Sequence, residues 1–217
     1  MERDSTLDPD ELHIGAWDLD EDLIAAVRAD SGPRVRLIEH SDTAVVLGRG
    51  SRPAEELHLE AVAADGVRIE RRRGGGCAVI LDPGNLIISV VLPLPGLTRI
   101  REAYDRLTDW LIEGLERIEV PGVERAGSSD LALEGRKLGG SCIWRAPGLL
   151  YYTTTLLVDP DLGKVERWLK HPPREPEYRR GRSHTAFMTS LTEMFGRDQA
   201  DTFPARLTAA LDPLPRF

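Results

Sequence analysis

The stretch Glu70-Arg-Arg-Arg-Gly-Gly-Gly-Cys-Ala-Val-Ile-Leu-Asp82, continued by Pro83-Gly84-Asn85, leaves the chain few ways to fold. A β-rich run at residues 67–72 enters three consecutive glycines, and a second apolar run at 77–81 leaves them. The Asp-Pro-Gly-Asn turn then opens a third run at 86–94, since Pro presets one turn angle and Asp bonds the backbone ahead of it. Consecutive glycines remove the Cβ wall, so the backbone bends freely and can approach a ligand closely. Amide groups exposed in such a bend form an anion-binding concavity, to which Arg71, Arg72 and Arg73 would add charge and forked donors. A small guest carrying phosphate or carboxylate suits this pattern. The plainer alternative is a Gly-rich hairpin with a solvated basic strand end. Neither Gly-x-x-x-x-Gly-Lys-Ser/Thr nor a strand-to-helix Gly-x-Gly-x-x-Gly is present.

A chain of 217 residues can bury one core, and a single domain over 1–217 is expected, with about residues 1–10 disordered. A formal net charge of −8 argues against general affinity for nucleic acid or an anionic membrane. The arginine cluster is then a local feature on an acidic body. Cys77 and Cys142 are too few for a disulfide framework, and neither has a nearby metal-ligand partner. The charged start has no apolar segment of signal-peptide type, and no run reaches membrane-spanning length. A cytoplasmic protein is expected.

Along the chain, residues 18–30 read as a short helix, and 35–39 with 43–47 as a hairpin-like pair around His40-Ser41-Asp42. Gly48-Arg49-Gly50-Ser51 is a second flexible basic loop, and Pro53 opens a helix over 53–65. The longest helix is predicted at 98–120, where Ile100, Tyr104, Leu107, Leu111, Leu115 and Ile118 form one apolar stripe. Strands are predicted at 130–134, 137–145 and 149–159, and helices at 161–170, 185–195 and 201–211. Many strands without strict βαβ alternation imply an α+β fold, a mixed and mostly antiparallel sheet flanked by helices.

A second unusual stretch is Ser129-Asp-Leu-Ala-Leu-Glu-Gly-Arg-Lys-Leu-Gly-Gly-Ser141. Lys137 sits among glycines, and a lysine is a compact point charge suited to a developing oxyanion or a transferred phosphate. Alone, it would read as an exposed turn lysine. Cys142, beside Ile143 and Trp144 on an apolar strand, reads as a buried inert thiol. His13, His40, His58, His171 and His184 lack metal spacing, and His184 reads as a cap or surface residue. The arginine-rich loop 174–182 reads by default as a solvated charge run, or else as a cover for a nucleotide or an acidic partner.

Four stretches together resemble the lipoate–protein ligase A family of the biotin/lipoate protein ligase superfamily: Thr43-Ala-Val-Val-Leu-Gly-Arg49, residues 71–85, Gly135-Arg-Lys-Leu-Gly-Gly-Ser141, and Thr155-Leu-Leu-Val-Asp-Pro-Asp-Leu162. Their order and spacing match that family's catalytic domain from about residue 12 to 195. The resemblance implies a biotin/lipoate ligase-like fold that uses ATP and Mg²⁺ to convert lipoate into lipoyl-adenylate. The acyl group then passes to a lysine of a lipoyl-domain or H-protein-like carrier. Lys137 matches the lysine that contacts the acyl carbonyl and the α-phosphate, the catalytic role. Arg72, Gly75, Gly76, Cys77 and Ala78, with Asp82, Asn85 and Ser141, fall where the acyl-adenylate is wrapped. Asp130 matches an acidic residue near the nucleotide, the place for a metal or adenine contact, and Arg49 a basic loop residue.

The chain departs from the family pattern at Cys77, in place of a third glycine, and at Leu81, in place of a histidine, while Asp82 is kept. Tyr152-Thr-Thr-Thr-Leu-Leu157 stands where the family often has His-His-Gly-Thr-Leu-Leu. The accessory C-terminal domain of many members is not expected here, so the expectation is either a separate accessory subunit or a self-sufficient short form. Two other readings remain open from the residues. One is a cysteine-dependent octanoyl or lipoyl transferase using Cys77, whose pKa the neighbouring arginines would lower. The other is a non-catalytic protein that binds lipoate or its carrier.

Overall fold

The structure is a computed structural model and describes residues 12–30, 32–94 and 100–215. Strand β1 (Ile14–Ala16) leads into helix α1 (Glu21–Asp30), then strands β2 (Arg34–Glu39) and β3 (Ala44–Leu47). Two short helices, α2 (Pro53–Glu56) and α3 (Leu59–Ala64), precede strands β4 (Arg68–Arg71), β5 (Val79–Leu81) and β6 (Asn85–Pro93). Helix α4 (Ile100–Arg117) is followed by β7 (Glu124–Ala126), β8 (Asp130–Leu133), β9 (Arg136–Ala146) and β10 (Leu149–Leu157). Helix α5 (Leu162–Trp168) comes next. The short helices α6 (His184–Phe187), α7 (Leu191–Phe195), α8 (Arg197–Ala200) and α9 (Phe203–Ala210) follow it. The predicted disorder at 1–10, the helix start at 98–99 and the last two residues lie outside the described residues.

The expected α+β architecture is present, with its strands divided between two sheets. The larger has the order β2-β6-β10-β9-β8-β7 and is antiparallel throughout. The smaller has the order β1-β4-β3-β5, parallel in its first two ladders and antiparallel in the third. Residues 35–39 and 43–47 therefore do not form the predicted hairpin: β2 pairs with β6, while β3 pairs with β4 and β5. Between them the His40 amide bonds the Asn85 carbonyl at 2.9 Å and carries the chain from one sheet to the other. Burial explains the choice. All four residues of β3 are buried, as in a central strand covered on both faces.

Alternation along β3 sorts its side chains onto the two faces. Ala44 and Val46 pack with Leu81 and with Ile87 of the large sheet, so the sheets meet there. Val45 and Leu47 pack on the opposite side with Leu57, Val62, Val165 and Trp168, beneath the short helices and α5. The predicted stripe of α4 buries Leu107, Leu111 and Leu115 against Leu86, Ile88, Val90, Leu92, Leu150 and Tyr152 of the large sheet. Phe203, Leu207 and Leu211 of the C-terminal region join the same core. Across the sheet, Leu23, Ile24 and Val27 of α1 cover Val91, Leu149 and Tyr151.

Two predicted helices are interrupted, each by a tertiary pairing. In 53–65, Leu57 bridges to Leu169 and the His58 amide bonds the Trp168 carbonyl at 2.9 Å, which separates α2 from α3. In 185–195, Met188 bridges to Lys137 and the Thr189 amide bonds the Lys137 carbonyl at 2.9 Å. Ser190 then caps α7 by accepting from the Glu193 amide. Strands β1 and β7, three residues each, are too short to show a period in the sequence.

Asp82 and Gly84 fix the passage from β5 into β6. One Asp82 oxygen accepts from the Gly84 amide at 3.1 Å and from Asn85 Nδ2 at 2.7 Å. The other accepts from the Asp161 amide at 2.8 Å. A Cβ on Gly84 would lie 2.0 Å from the Asp159 carbonyl oxygen, so only glycine permits this approach. The packing of α4 gives a direct test of the core. Leu111, fully buried, is expected to cost about 2–5 kcal/mol when replaced by alanine. Urea unfolding should show a lower midpoint at unchanged slope; an unchanged midpoint would contradict the packing.

Candidate active site

A cleft of about 200 Å³ lies where the small sheet rests on the large one. Val46, Ile80, Ile87, Leu157, Val165 and Leu169 contribute apolar wall, while Arg72, Gly75, Gly76, Cys77, Asp130, Lys137 and Ser141 bring polar chemistry to it. Of the residues singled out from sequence, Ala78, Asp82 and Asn85 also line this space. Arg49 does not appear among the lining residues: its side chain is exposed, and its amide bonds the Gly74 carbonyl at 2.8 Å.

The three consecutive arginines have three different partners. Arg71 donates to the carbonyls of Gly48 at 2.8 Å and Ser51 at 2.9 Å, and so holds the second glycine loop. Arg72 donates to the carbonyls of Val46, Gly75 and Cys77 at 2.9, 2.8 and 2.8 Å, closing the first loop on itself. Arg73 pairs with Glu21 and stacks over Trp144 at 4.7 Å. Arg71 and Arg72 therefore shape the loops, Arg73 braces α1 and β9 beside them, and of the three Arg72 alone also lines the cleft. Two glycines make the shape possible. A Cβ on Gly48 would sit 1.8 Å from the Gly76 carbonyl oxygen, and one on Gly74 would sit 2.4 Å from Cys142 Sγ. Gly76 has a φ of +93°, a backbone state that favours glycine.

Lys137 stands near the start of β9, with its ammonium 2.7 Å from one oxygen of Asp130. The other Asp130 oxygen accepts from the Tyr178 hydroxyl at 2.9 Å. The Lys137 side chain is 26% exposed against 11% for Asp130, so the lysine is the more accessible member of the pair. Gly140 leaves them room, since a Cβ there would come within 3.2 Å of Lys137 Nζ. Both Asp130 oxygens are thus engaged, and among the described residues no group of three His, Cys, Asp or Glu side chains could hold a metal ion.

Ser141 belongs to a buried hydroxyl network, 3.1 Å from the Tyr152 hydroxyl and 3.0 Å from Thr154 Oγ1. Asn85 is buried, and its Oδ1 has no hydrogen-bond partner among the described residues. Burial pushes the Cys77 thiol up from its ordinary pKa and the Glu56 carboxylate adds to the rise, while Arg174, Lys137 and Arg72 oppose it less strongly. The expected lowering by the arginine cluster is therefore reversed: Arg72 donates to the Cys77 carbonyl, and desolvation dominates. Burial also raises the Cys142 thiol, consistent with an inert role.

Sequence reasoning misjudged two features and missed two residues. His184, expected as a cap or surface group, is the buried first residue of α6 and lines the cleft; burial and then Arg179 lower its pKa to about 4, so it is neutral at pH 7. The 174–182 loop is solvated only in part: Arg174 and Arg180 are exposed, as expected of a charge run, and two other arginines turn inward. Arg179 is buried beside Phe187 at 5.0 Å, and Arg182 donates to the carbonyls of Gly135 and Tyr178 at 2.9 and 2.7 Å. Tyr178 escaped notice because its partner Asp130 is remote in sequence. Glu56 was visible only as a first-turn helix acid. It is buried and accepts from the Ala78 amide at 2.5 Å and from Ser51 Oγ at 3.1 Å, which ties the two glycine loops together.

Residues 14–212 match the lipoyl protein ligase A/B catalytic domain. A Mycoplasma genitalium protein named as a probable lipoate-protein ligase A is 30% identical over 151 residues, covering 70% of this chain and 44% of its own length. A Bacillus subtilis lipoate-protein ligase is 28% identical over 126 residues, covering 58% of this chain and 37% of its own. The chain therefore spans less than half the length of these two relatives. Among solved structures, a lipoate-protein ligase A bound with ATP matches with a TM-score of 0.70 at 21% identity, over 88% of this chain and 77% of that one. The bipartite lipoate protein ligase of Thermoplasma acidophilum gives 0.68 at 22% identity, over 92% and 84%. At those identities the likeness speaks for the fold, and the expected ligase-like architecture is borne out. The chain belongs to the lipoyl protein ligase A/B catalytic domain family.

Proposed function

We propose that this chain joins lipoate to ATP as an acyl-adenylate and passes the acyl group to a lysine of a lipoyl-domain or H-protein-like carrier. The observation that carries this reading is a partly exposed lysine, Lys137, that shares a cleft of apolar interior with an open glycine loop. A carboxylate oxygen of lipoate attacks the α-phosphorus of ATP, and the bond to pyrophosphate breaks. The carrier amine then attacks the acyl carbon, the bond to AMP breaks, and the amine releases a proton. Negative charge grows first around the α-phosphate and then on the acyl oxygen. A positioned ammonium stabilises both, so catalysis rests on placement and electrostatics without a covalent enzyme intermediate.

The apolar walls suit an aliphatic acyl chain, and the open space beside Gly75 suits a nucleotide approaching backbone. One structural neighbour binds ATP and another binds lipoic acid, which agrees with this assignment of substrates. Mg²⁺ enters with the nucleotide phosphates in this reading, since this ion keeps most of its waters and takes few protein ligands. The Thermoplasma neighbour is bipartite and was studied with its E2 lipoyl domain, which supports a protein carrier and leaves room for a separate accessory subunit.

Lipoate with ATP and Mg²⁺ should release pyrophosphate, and an added lipoyl domain should gain one lipoyl mass increment. Acyl transfer from an octanoylated donor without ATP would overturn the proposal. Lys137→Ala is expected to lower pyrophosphate release by about 10²–10³-fold with an unchanged melting temperature; a near-normal rate would remove Lys137 from the chemistry. Cys77→Ser is expected to keep most of the ATP-dependent activity, because burial disfavours the thiolate. Loss of all transfer in that variant would instead favour a thioester route.

A further inference from the structure

We propose that Tyr178 is a positioning residue for Lys137, acting through Asp130; the proposal rests on the reading of Lys137 as the charge-stabilising group. Three contacts bind the segment 171–189 around this lysine. The Tyr178 hydroxyl donates to one Asp130 oxygen at 2.9 Å, and the other oxygen lies 2.7 Å from the Lys137 ammonium. Arg182 donates to the Gly135 carbonyl at 2.9 Å, two residues before Lys137. The Thr189 amide donates to the Lys137 carbonyl itself at 2.9 Å. This segment therefore holds the Lys137 backbone directly and its ammonium through Asp130.

The phenol is suited to this task. Its ring lies 4.9 Å from that of Phe187, which in turn faces the Arg179 and Arg182 guanidiniums at 5.0 and 5.3 Å. Gly127 admits the segment, since a Cβ there would meet the Pro176 side chain at 2.9 Å. Burial and then the Asp130 charge raise the Tyr178 pKa, so the hydroxyl remains a donor at neutral pH. A carboxylate with one free oxygen can rotate and offer an ammonium several arrangements. With the phenol on one oxygen, the other is left at a single place, and the ammonium has one direction to point.

Tyr178→Phe keeps the ring and deletes only the donor, so a role confined to packing would leave every property unchanged. The first measurement is independent of any reaction of the enzyme: acylation of each lysine by an amine-directed reagent, followed by mass spectrometry. The sequence has two other lysines, Lys164 and Lys170, which serve as internal references. The expected result is a several-fold faster modification of Lys137 in Tyr178→Phe, with Lys164 and Lys170 unchanged. Asp130→Asn should produce a similar rise, and the double variant should add nothing further. An unchanged Lys137 rate in Tyr178→Phe, or independent effects that multiply in the double variant, would overturn the proposal.

The second measurement is pyrophosphate release. Tyr178→Phe is expected to lower kcat on the order of tenfold, the size of one hydrogen bond to a charged group, with little change in KM for ATP or lipoate. A raised KM at normal kcat would overturn the positioning role. If the unaltered protein released no pyrophosphate, the proposed reaction would fall, while the lysine-modification comparison would still decide the role of Tyr178.

Discussion

The close approach of two glycine loops is the constraint on which the site depends. Gly48 and Gly76 meet at a separation that leaves no space for a Cβ on Gly48, and the loops they belong to leave neighbouring strands of the small sheet. Bare loops of this kind would be disordered by their own conformational freedom. Arg71 and Arg72 oppose that freedom by donating to carbonyls of the two loops, and buried Glu56 ties both through Ala78 and Ser51. An arginine is suited to this because several donors sit on one rigid plane. The result is a wall that stays open to a ligand without being slack.

That division of labour reverses the first impression given by three arginines in a row. Positive charge in the sequence suggests direct contact with an anion, yet most of these guanidinium groups face protein carbonyls or carboxylates. Lys137 is different: its ammonium has one carboxylate partner, and the side chain keeps about a quarter of its exposure. On a chain with a net charge of −8, a small number of well-placed cations decides where an anionic substrate settles. The low pKa of His184 and the raised pKa of Cys77 follow from the same burial, which leaves both neutral near pH 7.

Periodicity made the long helix and the large-sheet strands legible, because α4 repeats one apolar stripe and β6 is an almost continuous apolar run. The Gly loop, Lys137 and the Asp82 turn were legible as local chemistry. What the sequence concealed was long-range pairing. Nothing local separates a hairpin from two strands in different sheets; β3 is covered on both faces in the small sheet, and the His40–Asn85 contact marks where the chain crosses from β2 to it. Helix breaks at Leu57 and Met188 arise the same way, from bridges to Leu169 and Lys137. Tyr178 and Glu56 were hidden for a related reason: each acts on a residue far along the chain.

If the carboxylate is activated as an adenylate in this cleft, one of its oxygen atoms must leave with AMP. Lipoate labelled with ¹⁸O in its carboxyl group, supplied with ATP and a lipoyl-domain carrier, should yield AMP carrying one labelled oxygen for each acyl group transferred. Acylated carrier accompanied by unlabelled AMP, or formed without any AMP, would contradict the account.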